Sequence, residues 1–343
     1  MQRLLPSLRP LPRLVGAATL LVALVALILL AAPASAAWVH SGLPVCGACE
    51  SQAHDFTDVS ATSDGIGGVY ASWWDYWTTL RIRHLTVTGD DAPGWTSNGL
   101  SPTSIFGYNH YARLASDGAG GLYVGWLESN CTAHCFGNGG CVYVQHMTYG
   151  GTRVAGWPAE GLAAATQSCG TNLPPVVAPD GLGGLLVAWL RYYISPSGKP
   201  LNSVRVQRFN ADGTQPWVGA ADGVLVAPSS AGAQLDPALV GDGSGGALIA
   251  WTDTRPGSAV PQVYVQHVDA SGALRDSAGM ALTASAYNQR LPQLLADGAG
   301  GAFVVWQDST ASSGVDLRMQ RLDPSGTALW GEGVGVTAGA VGH

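Results

Sequence analysis

The residues of this sequence that could do chemistry include aromatic side chains close to imidazole and carboxylate groups. The candidate ligand contacts are Trp74, Tyr76, Trp77, His54, His110, Tyr192 and Tyr193. Flat rings beside a few hydrogen-bonding groups are how proteins often hold sugar rings or peptides. We therefore expect a glycan or protein ligand at these residues, with Trp77 as its main contact. The alternative, which we weigh equally for any single ring, is that the aromatics only pack the loops together.

Carboxylates are the second group of candidates. The acids without an evident turn role are Asp55, Asp58, Asp75, Glu128 and Asp236. Two of them around a bound sugar would suit a glycoside hydrolase or lyase. However, Asp75 recurs as Asp253 and Asp308, which favours a structural role for that position. Because no nucleophile elbow, phosphate-binding loop or sialidase motif occurs, the sequence identifies no catalytic residue.

Cysteines form the third group, and we expect them to be disulfide-bonded because the chain is exported. They are Cys46, Cys49, Cys131, Cys135, Cys141 and Cys169. Their closeness along the chain suggests pairing of Cys46 with Cys49, of Cys169 with one cysteine of the 131–141 segment, and of the remaining two cysteines of that segment with each other. A zinc site formed by Cys131, His134, Cys135 and Cys141 is the alternative. We otherwise expect no metal and no cofactor.

The elements that position these residues come from a repeat. An Asp-Gly-x-Gly-Gly motif begins at Asp64, Asp117, Asp180, Asp242 and Asp297. Each copy contains four short segments with alternating apolar residues, and the second segment contains a tryptophan. Repeats of this length with strand periodicity are typical of β-propellers. We predict an all-β fold: a β-propeller with five four-stranded antiparallel blades, one for each repeat.

The repeat also separates structural residues from candidate functional ones. His84, His146 and His267 occupy the position that Arg208 and Arg321 hold in the other copies, so we expect them to be structural. The motif turns form one face of a propeller, whereas the loops between second and third strands and the crossovers between blades form the other. All six cysteines map to this second face, here called the loop face. A calcium site in the motif turns is a weaker alternative.

The two ends of the chain predict its location. Residues 1–36 combine arginines, an apolar run and the sequence Ala-Ser-Ala, which is typical of a signal peptide for bacterial-type export. Residues 37–343 would then form the propeller, without stable membrane insertion once the signal is cleaved. The formal charge of this mature chain is −10, because all 23 acids but only 13 of the 16 basic residues remain. That charge argues against nucleic acid as a partner.

The three motifs DGxGGxxVxWxD, VxVQRxDxxG and WxxxGxxV resemble an uncharacterised group of secreted bacterial repeat proteins. That resemblance covers residues 38–337 and implies an extracellular or cell-surface propeller with no established catalytic residues. Members of the group often carry a type IX secretion sorting domain, which is not seen after Thr337, so we also expect a truncated array. The prediction is a non-catalytic propeller that binds a glycan or protein. A glycoside hydrolase or lyase and a purely structural array are the alternatives.

Overall fold

The structure is a computed structural model that describes residues 57–75, 79–105, 109–128, 140–165, 173–194, 200–217, 219–228, 232–255, 260–309 and 314–336. These residues all belong to the unit Pro44–His343, and the other unit, Met1–Leu43, contains no described residue. Throughout the described part, the regular elements are β-strands. No helix within it combines the length and the apolar character that crossing a membrane would require.

The strands form five antiparallel sheets in chain order. They are β1 (Thr57–Ser63), β2 (Val69–Asp75), β3 (Thr79–Leu85), β4 (Asn109–Ser116), β5 (Leu122–Glu128), β6 (Cys141–Met147), β7 (Leu162–Ala163), β8 (Val176–Pro179), β9 (Leu185–Ile194), β10 (Pro200–Phe209), β11 (Val224–Leu225), β12 (Gln234–Gly241), β13 (Ala247–Asp253), β14 (Gln262–Val268), β15 (Met280–Ala281), β16 (Gln289–Ala296), β17 (Ala302–Ser309), β18 (Val315–Leu322) and β19 (Val334–Gly335). Blade one contains β1–β3, and each later blade contains the next four strands. In blade one, a single bridge between Ile82 and Leu100 takes the fourth position. The predicted all-β propeller of antiparallel blades is confirmed.

The motif turn closes the hairpin between the first two strands of every blade. In blade one, Asp64 Oδ1 accepts the backbone N–H groups of Ile66 (2.9 Å) and Gly68 (2.8 Å). Gly67 has a φ of 104°, which is a conformation that side chains rarely allow. The same two bonds recur at the other four motif aspartates. The motif is therefore a structural turn.

Apolar packing between neighbouring blades forms the core. The second strand of each inner blade is covered on both sides, so every described residue of β5 and β13 is buried. The tryptophan of the second strand is almost fully buried in all five blades: Trp73, Trp126, Trp189, Trp251 and Trp306. Burying aromatic side chains of this size contributes strongly to stability. The repeated tryptophans are therefore core residues, as the repeat predicts.

The first strands of successive blades pack against one another and line the axis. β1 packs on β4, β4 on β8, β8 on β12 and β12 on β16. No packing of similar extent joins β16 to β1 among these strands. Accordingly, one face of blade five is uncovered, with Leu295 and Val315 69% and 61% exposed. The ring of described strands is open between blades five and one.

Candidate functional site

A cavity of about 490 Å³, here called the axial cavity, lies between the first strands of blades two to five. Its polar lining consists of Arg113 from β4, Asp236 from β12 and Gln293 from β16. Leu114 and Val176 are among its apolar lining residues. An apolar wall with a few directed polar groups is the usual composition of a site for a small ligand. The axial cavity is therefore the candidate functional site.

A β-bulge interrupts the first strand of four blades at the same level. The register shifts between Thr57 and Ser60, His110 and Arg113, Leu235 and Ala238, and Arg290 and Gln293. The residues with positive φ at these bulges are Asp58 (60°), Tyr111 (57°), Asp236 (51°) and Leu291 (52°). A non-glycine residue in this region costs on the order of 1 kcal/mol and must be held there by its surroundings. Bulges of this kind commonly redirect side chains beside functional sites.

Two of the four bulge residues are acids, and both were among the sequence candidates. Asp236 lines the axial cavity, and its Oδ2 accepts a hydrogen bond of 3.0 Å from the Thr252 hydroxyl. Asp58 occupies the matching position in β1, which packs against the cavity-lining strand β4. Arg113 lines the cavity, and its Nη1 donates to the carbonyl of Ala112 at 2.8 Å. The site can thus offer carboxylate and guanidinium groups to a polar ligand.

The other acids that the sequence suggested belong to a repeated structural position. Glu128 lies two residues after the blade tryptophan, as Asp75, Asp253 and Asp308 do in their strands, and Glu128 is buried. In blade four, the acid at this position, Asp253, accepts the indole N–H of Trp251 at its Oδ2 at 2.9 Å. Glu128 is therefore a fourth member of a recurring set, which the sequence comparison had not included. Asp55 lies outside the described residues.

The predicted aromatic face is described only in part. Trp74 is half-buried at the end of β2, whereas Tyr192 is 51% exposed near the end of β9. His110 and Tyr193 lie in β4 and β9. His54, Tyr76 and Trp77 lie outside the described residues, so the proposed main contact stays a prediction. Of this set, Trp74 and Tyr192 have described side chains, and neither is among the described residues that line the axial cavity.

Of the six cysteines, the structure describes one. Cys141 starts β6, is buried and is not a free thiol. The other five, together with His134, lie outside the described residues, so the predicted pairing stays a prediction. Over the part of the chain that is described, no group of three or more His, Cys, Asp or Glu side chains could hold a metal ion.

The repeated histidines and arginines bind the motif aspartates. His84 Nε2 lies 2.9 Å from Asp64 Oδ2, and His146 and His267 make the same contact with Asp117 and Asp242. Arg208 and Arg321 replace the histidines at 2.8 Å from their aspartates. Both oxygens of each motif carboxylate thus face nitrogen groups. This arrangement does not favour the calcium alternative, because calcium needs free oxygen ligands.

Arg113 was missed at the sequence level. The corresponding residues of the other bulged strands are Ser60, Ala238 and Gln293, so the signal was an arginine at a position that varies between repeats. Its importance depends on the bulge, which turns this part of β4 towards the axis. Aligning the repeats shows which positions vary, but it does not show which of those positions line a cavity.

Comparisons with known proteins find only distant structural likenesses. No protein-family model and no curated protein matches the sequence. An endo-arabinase from Bacteroides thetaiotaomicron VPI-5482 is 12% identical, with a TM-score of 0.42, over 76% of this chain and 92% of that chain. An α-L-arabinanase from Penicillium chrysogenum is 12% identical, with a TM-score of 0.45, over 82% and 81% of the two chains. A PL25 ulvan lyase is 12% identical, with a TM-score of 0.45, over 78% and 68%.

These three TM-scores all lie below 0.5, so the likeness supports no statement about activity or ligand. The resemblance to secreted bacterial repeat proteins also has no matching family model, and it stays a prediction. What the chain does must therefore be inferred from its own residues.

Proposed function

We propose that the protein is an extracellular β-propeller that cleaves a glycan at the axial cavity, as a glycoside hydrolase or lyase. The observation that carries this proposal is the placement of two acids, Asp58 and Asp236, at strained bulge positions of the axial strands. Strained residues persist only where the surrounding structure holds them, and they cluster at active sites. The sequence alternative of an enzyme is thereby preferred over a purely non-catalytic propeller.

Hydrolysis of a glycosidic bond would use the two carboxyl groups in different protonation states. One protonated carboxyl gives its proton to the glycosidic oxygen as the bond from that oxygen to the anomeric carbon breaks. The other, ionised, takes a proton from the water whose oxygen bonds to the anomeric carbon. We assign the second role to Asp236, because it lines the axial cavity and the Thr252 hydroxyl holds its Oδ2 by a hydrogen bond.

Other side chains of the axial cavity would bind the sugar. Arg113 and Gln293 supply hydrogen-bond donors for hydroxyl or carboxylate oxygens of the glycan. Leu114 and Val176 supply apolar surface for the faces of the ring. A cavity of about 490 Å³ has room for a few sugar units. The predicted signal peptide supports an extracellular location, where polysaccharides are available as substrates.

The test is a reducing-end assay of the full-length exported protein against a panel of neutral and acidic polysaccharides. With a substrate found, Asp236→Asn and Asp58→Asn should each lower kcat by about 100-fold or more. Asp212→Asn is the control, because Asp212 is exposed in a turn on the opposite face and should leave kcat unchanged. Turnover that survives both axial substitutions would contradict the proposal.

Non-catalytic glycan or protein binding on the loop face is the second candidate, and the exposure of Tyr192 favours it. Stacking on an exposed ring would give affinity without chemistry. A glycan array with wild type, Tyr192→Ala and Asp236→Asn separates the two candidates. Binding that depends on Tyr192 but not on Asp236, without turnover of any bound glycan, would support this second function and contradict the first.

A further inference from the structure

Blade three departs from the other blades at one repeated position. In four blades, the second strand has an acid two residues after its tryptophan: Asp75, Glu128, Asp253 and Asp308. In blade three, Arg191 takes this place after Trp189. The acids of blades two, four and five are buried at this position. Blade three therefore has the opposite charge at a position that is buried in these other blades.

In blade five, the acid at this position forms an ion pair with an arginine on the neighbouring strand. Arg318 lies opposite Trp306 on the neighbouring strand, and its Nη1 is 3.6 Å from Asp308 Oδ2. Blade three has the same arginine, because Arg205 lies opposite Trp189 in the same register. In blade three, however, Arg191 stands where the acid would be, so two arginines occupy the positions that an arginine and an aspartate hold in blade five.

These two arginines line a cavity of about 250 Å³, here called the arginine cavity. Among the residues that the structure describes, its other polar lining residues are Ser203 and Gln234, both buried, and none of the described lining residues is an acid. Gln234 Oε1 accepts the backbone N–H of Val204 at 2.6 Å, so its amide nitrogen is the group left to donate. The polar lining therefore consists mainly of hydrogen-bond donors.

The guanidinium of Arg205 is only partly bound by the described residues. Its Nη1 donates to the carbonyls of Asp222 (3.2 Å) and Gly223 (3.0 Å), whereas its Nε is buried without an acceptor in the described residues. Burial lowers the pKa of Arg205, and the nearby charge of Arg191 lowers it further, against the opposing charge of Asp222. A partly buried charge is costly unless an opposite charge or hydrogen bonds compensate for it.

We propose that the arginine cavity binds an oxyanion group, a carboxylate or a sulfate, between Arg191 and Arg205. A guanidinium presents two parallel N–H groups that match the paired oxygens of such groups. The Ser203 hydroxyl and the Gln234 amide add neutral donors. The bound oxygens would take the place that the aspartate holds beside the equivalent arginine in blade five.

This oxyanion site is separate from the axial cavity and does not rest on the proposed cleavage reaction. Leu190 lines the axial cavity, and the next residue, Arg191, lines the arginine cavity. Neighbouring residues of a strand point to opposite faces of the sheet. The two cavities therefore lie at the same end of β9 on different faces of blade three.

The test is isothermal titration calorimetry of the full chain at pH 7 and constant ionic strength, with sodium sulfate, sodium glucuronate and glucose as probes. We expect saturable binding of at least one of the two anions and none of glucose. Tighter binding of glucuronate than of sulfate would identify the anionic group of a sugar as the ligand. Equal or tighter binding of sulfate would identify a site for free oxyanions. If neither anion binds to wild type, the proposal is wrong.

Substitutions locate the binding within the chain. Arg191→Asp recreates the pair seen in blade five, so it should weaken anion binding at least tenfold and raise the unfolding temperature measured without anion. Arg191→Lys should keep part of the affinity, because it keeps the charge but loses the paired N–H groups. Arg290→Asp changes the charge equally at an exposed residue of β16, and it should have no effect. Unchanged binding in Arg191→Asp would overturn the proposal, whatever the outcome of the reducing-end assay.

Discussion

At the scale of single residues, the motif aspartate combines two functions in one side chain. Asp64 Oδ1 holds the hairpin turn, while Oδ2 holds His84 on the third strand. Burial of Asp64 opposes its ionisation, but the hydrogen bonds from His84, Ile66 and Gly68 outweigh burial and hold its pKa below the ordinary value. The ionised carboxylate is thus the form that the fold requires.

Replacing this aspartate should therefore destabilise the protein in a pH-dependent way. We expect Asp64→Asn to lower the free energy of unfolding by about 1–3 kcal/mol at pH 7, because His84 and the turn lose a charged acceptor inside the protein. Urea unfolding at pH 7 measures the loss. Asp90→Asn is the control, since Asp90 is exposed in the next turn and its side chain accepts a hydrogen bond from the nearby Thr88 hydroxyl. An equal loss in both variants would contradict the structural role.

The sign of the pH dependence follows from the lowered pKa. The folded pKa of Asp64 lies below the value of 3.8 expected for the unfolded chain. The stability that Asp64 contributes is therefore complete above about pH 5 and is lost as the pH falls through the folded pKa. Between pH 5 and 3, the unfolding free energy of wild type should fall more steeply than that of Asp64→Asn. Parallel curves would show that the pKa of Asp64 is the same in both states.

At the scale of elements, a close contact joins the second strand of each blade to its fourth segment. A glycine with positive φ lies against the ring of the blade tryptophan, as Gly223 does against Trp189. A Cβ atom added to Gly223 would lie 2.4 Å from Trp189 Cη2. Glycine at this position therefore allows the outer segment to approach the tryptophan.

Two glycines of blade three allow the energetic cost of this close contact to be measured apart from the cost of backbone strain. Gly219 and Gly223 both have positive φ, at 83° and 72°, but a Cβ on Gly219 would meet nothing within 4 Å. Gly219→Ala should cost about 1 kcal/mol from the backbone alone. Gly223→Ala should cost a further 1–3 kcal/mol or so, because Trp189 must move. Urea unfolding of the two variants gives the comparison, and similar costs would show that Trp189 yields without penalty.

How much could be predicted from the sequence differs from one element to another. The motif turns and the second-strand tryptophans were predicted correctly, because both depend on residues that recur at the same position in every repeat. The bulges were not, since the bulge residues Asp58, Tyr111, Asp236 and Leu291 are of three different types and give no common signal in the repeat. Arg191 is visible in the sequence, but its meaning depends on the register that places it beside Arg205. Sequence comparison therefore predicted the scaffold better than the two cavities.

At the scale of the whole molecule, each blade is attached to the next by a similar hydrogen bond. The indole N–H groups of Trp95, Trp157 and Trp217 donate to the carbonyls of Tyr149, Ala211 and Ala270 in the following blade. Arg275 makes the corresponding contact from blade four to Ser325 in blade five. Blade five also has a tryptophan in this segment, Trp330, but its side chain is partly exposed.

The apolar residues on the uncovered side of blade five match residues that are buried in the other blades. Leu317 lies on β18 in the register that Val263 has on β14. Val263 is fully buried against blade five, whereas Leu317 is 39% exposed. The free energy that each side chain contributes should follow its burial, because apolar area removed from water is what stabilises the fold.

A pair of alanine substitutions therefore measures whether blade five is covered in solution. Val263→Ala should lower the free energy of unfolding by about 2 kcal/mol, since it leaves a cavity between two blades. Leu317→Ala removes more carbon atoms but should cost less than about 1 kcal/mol, because the side chain is partly in water already. Urea unfolding at several protein concentrations gives both values. If Leu317→Ala proves the more costly change, another surface covers blade five; a cost that grows with protein concentration would identify that surface as a second copy of the chain, and a constant cost would identify it as part of the same chain.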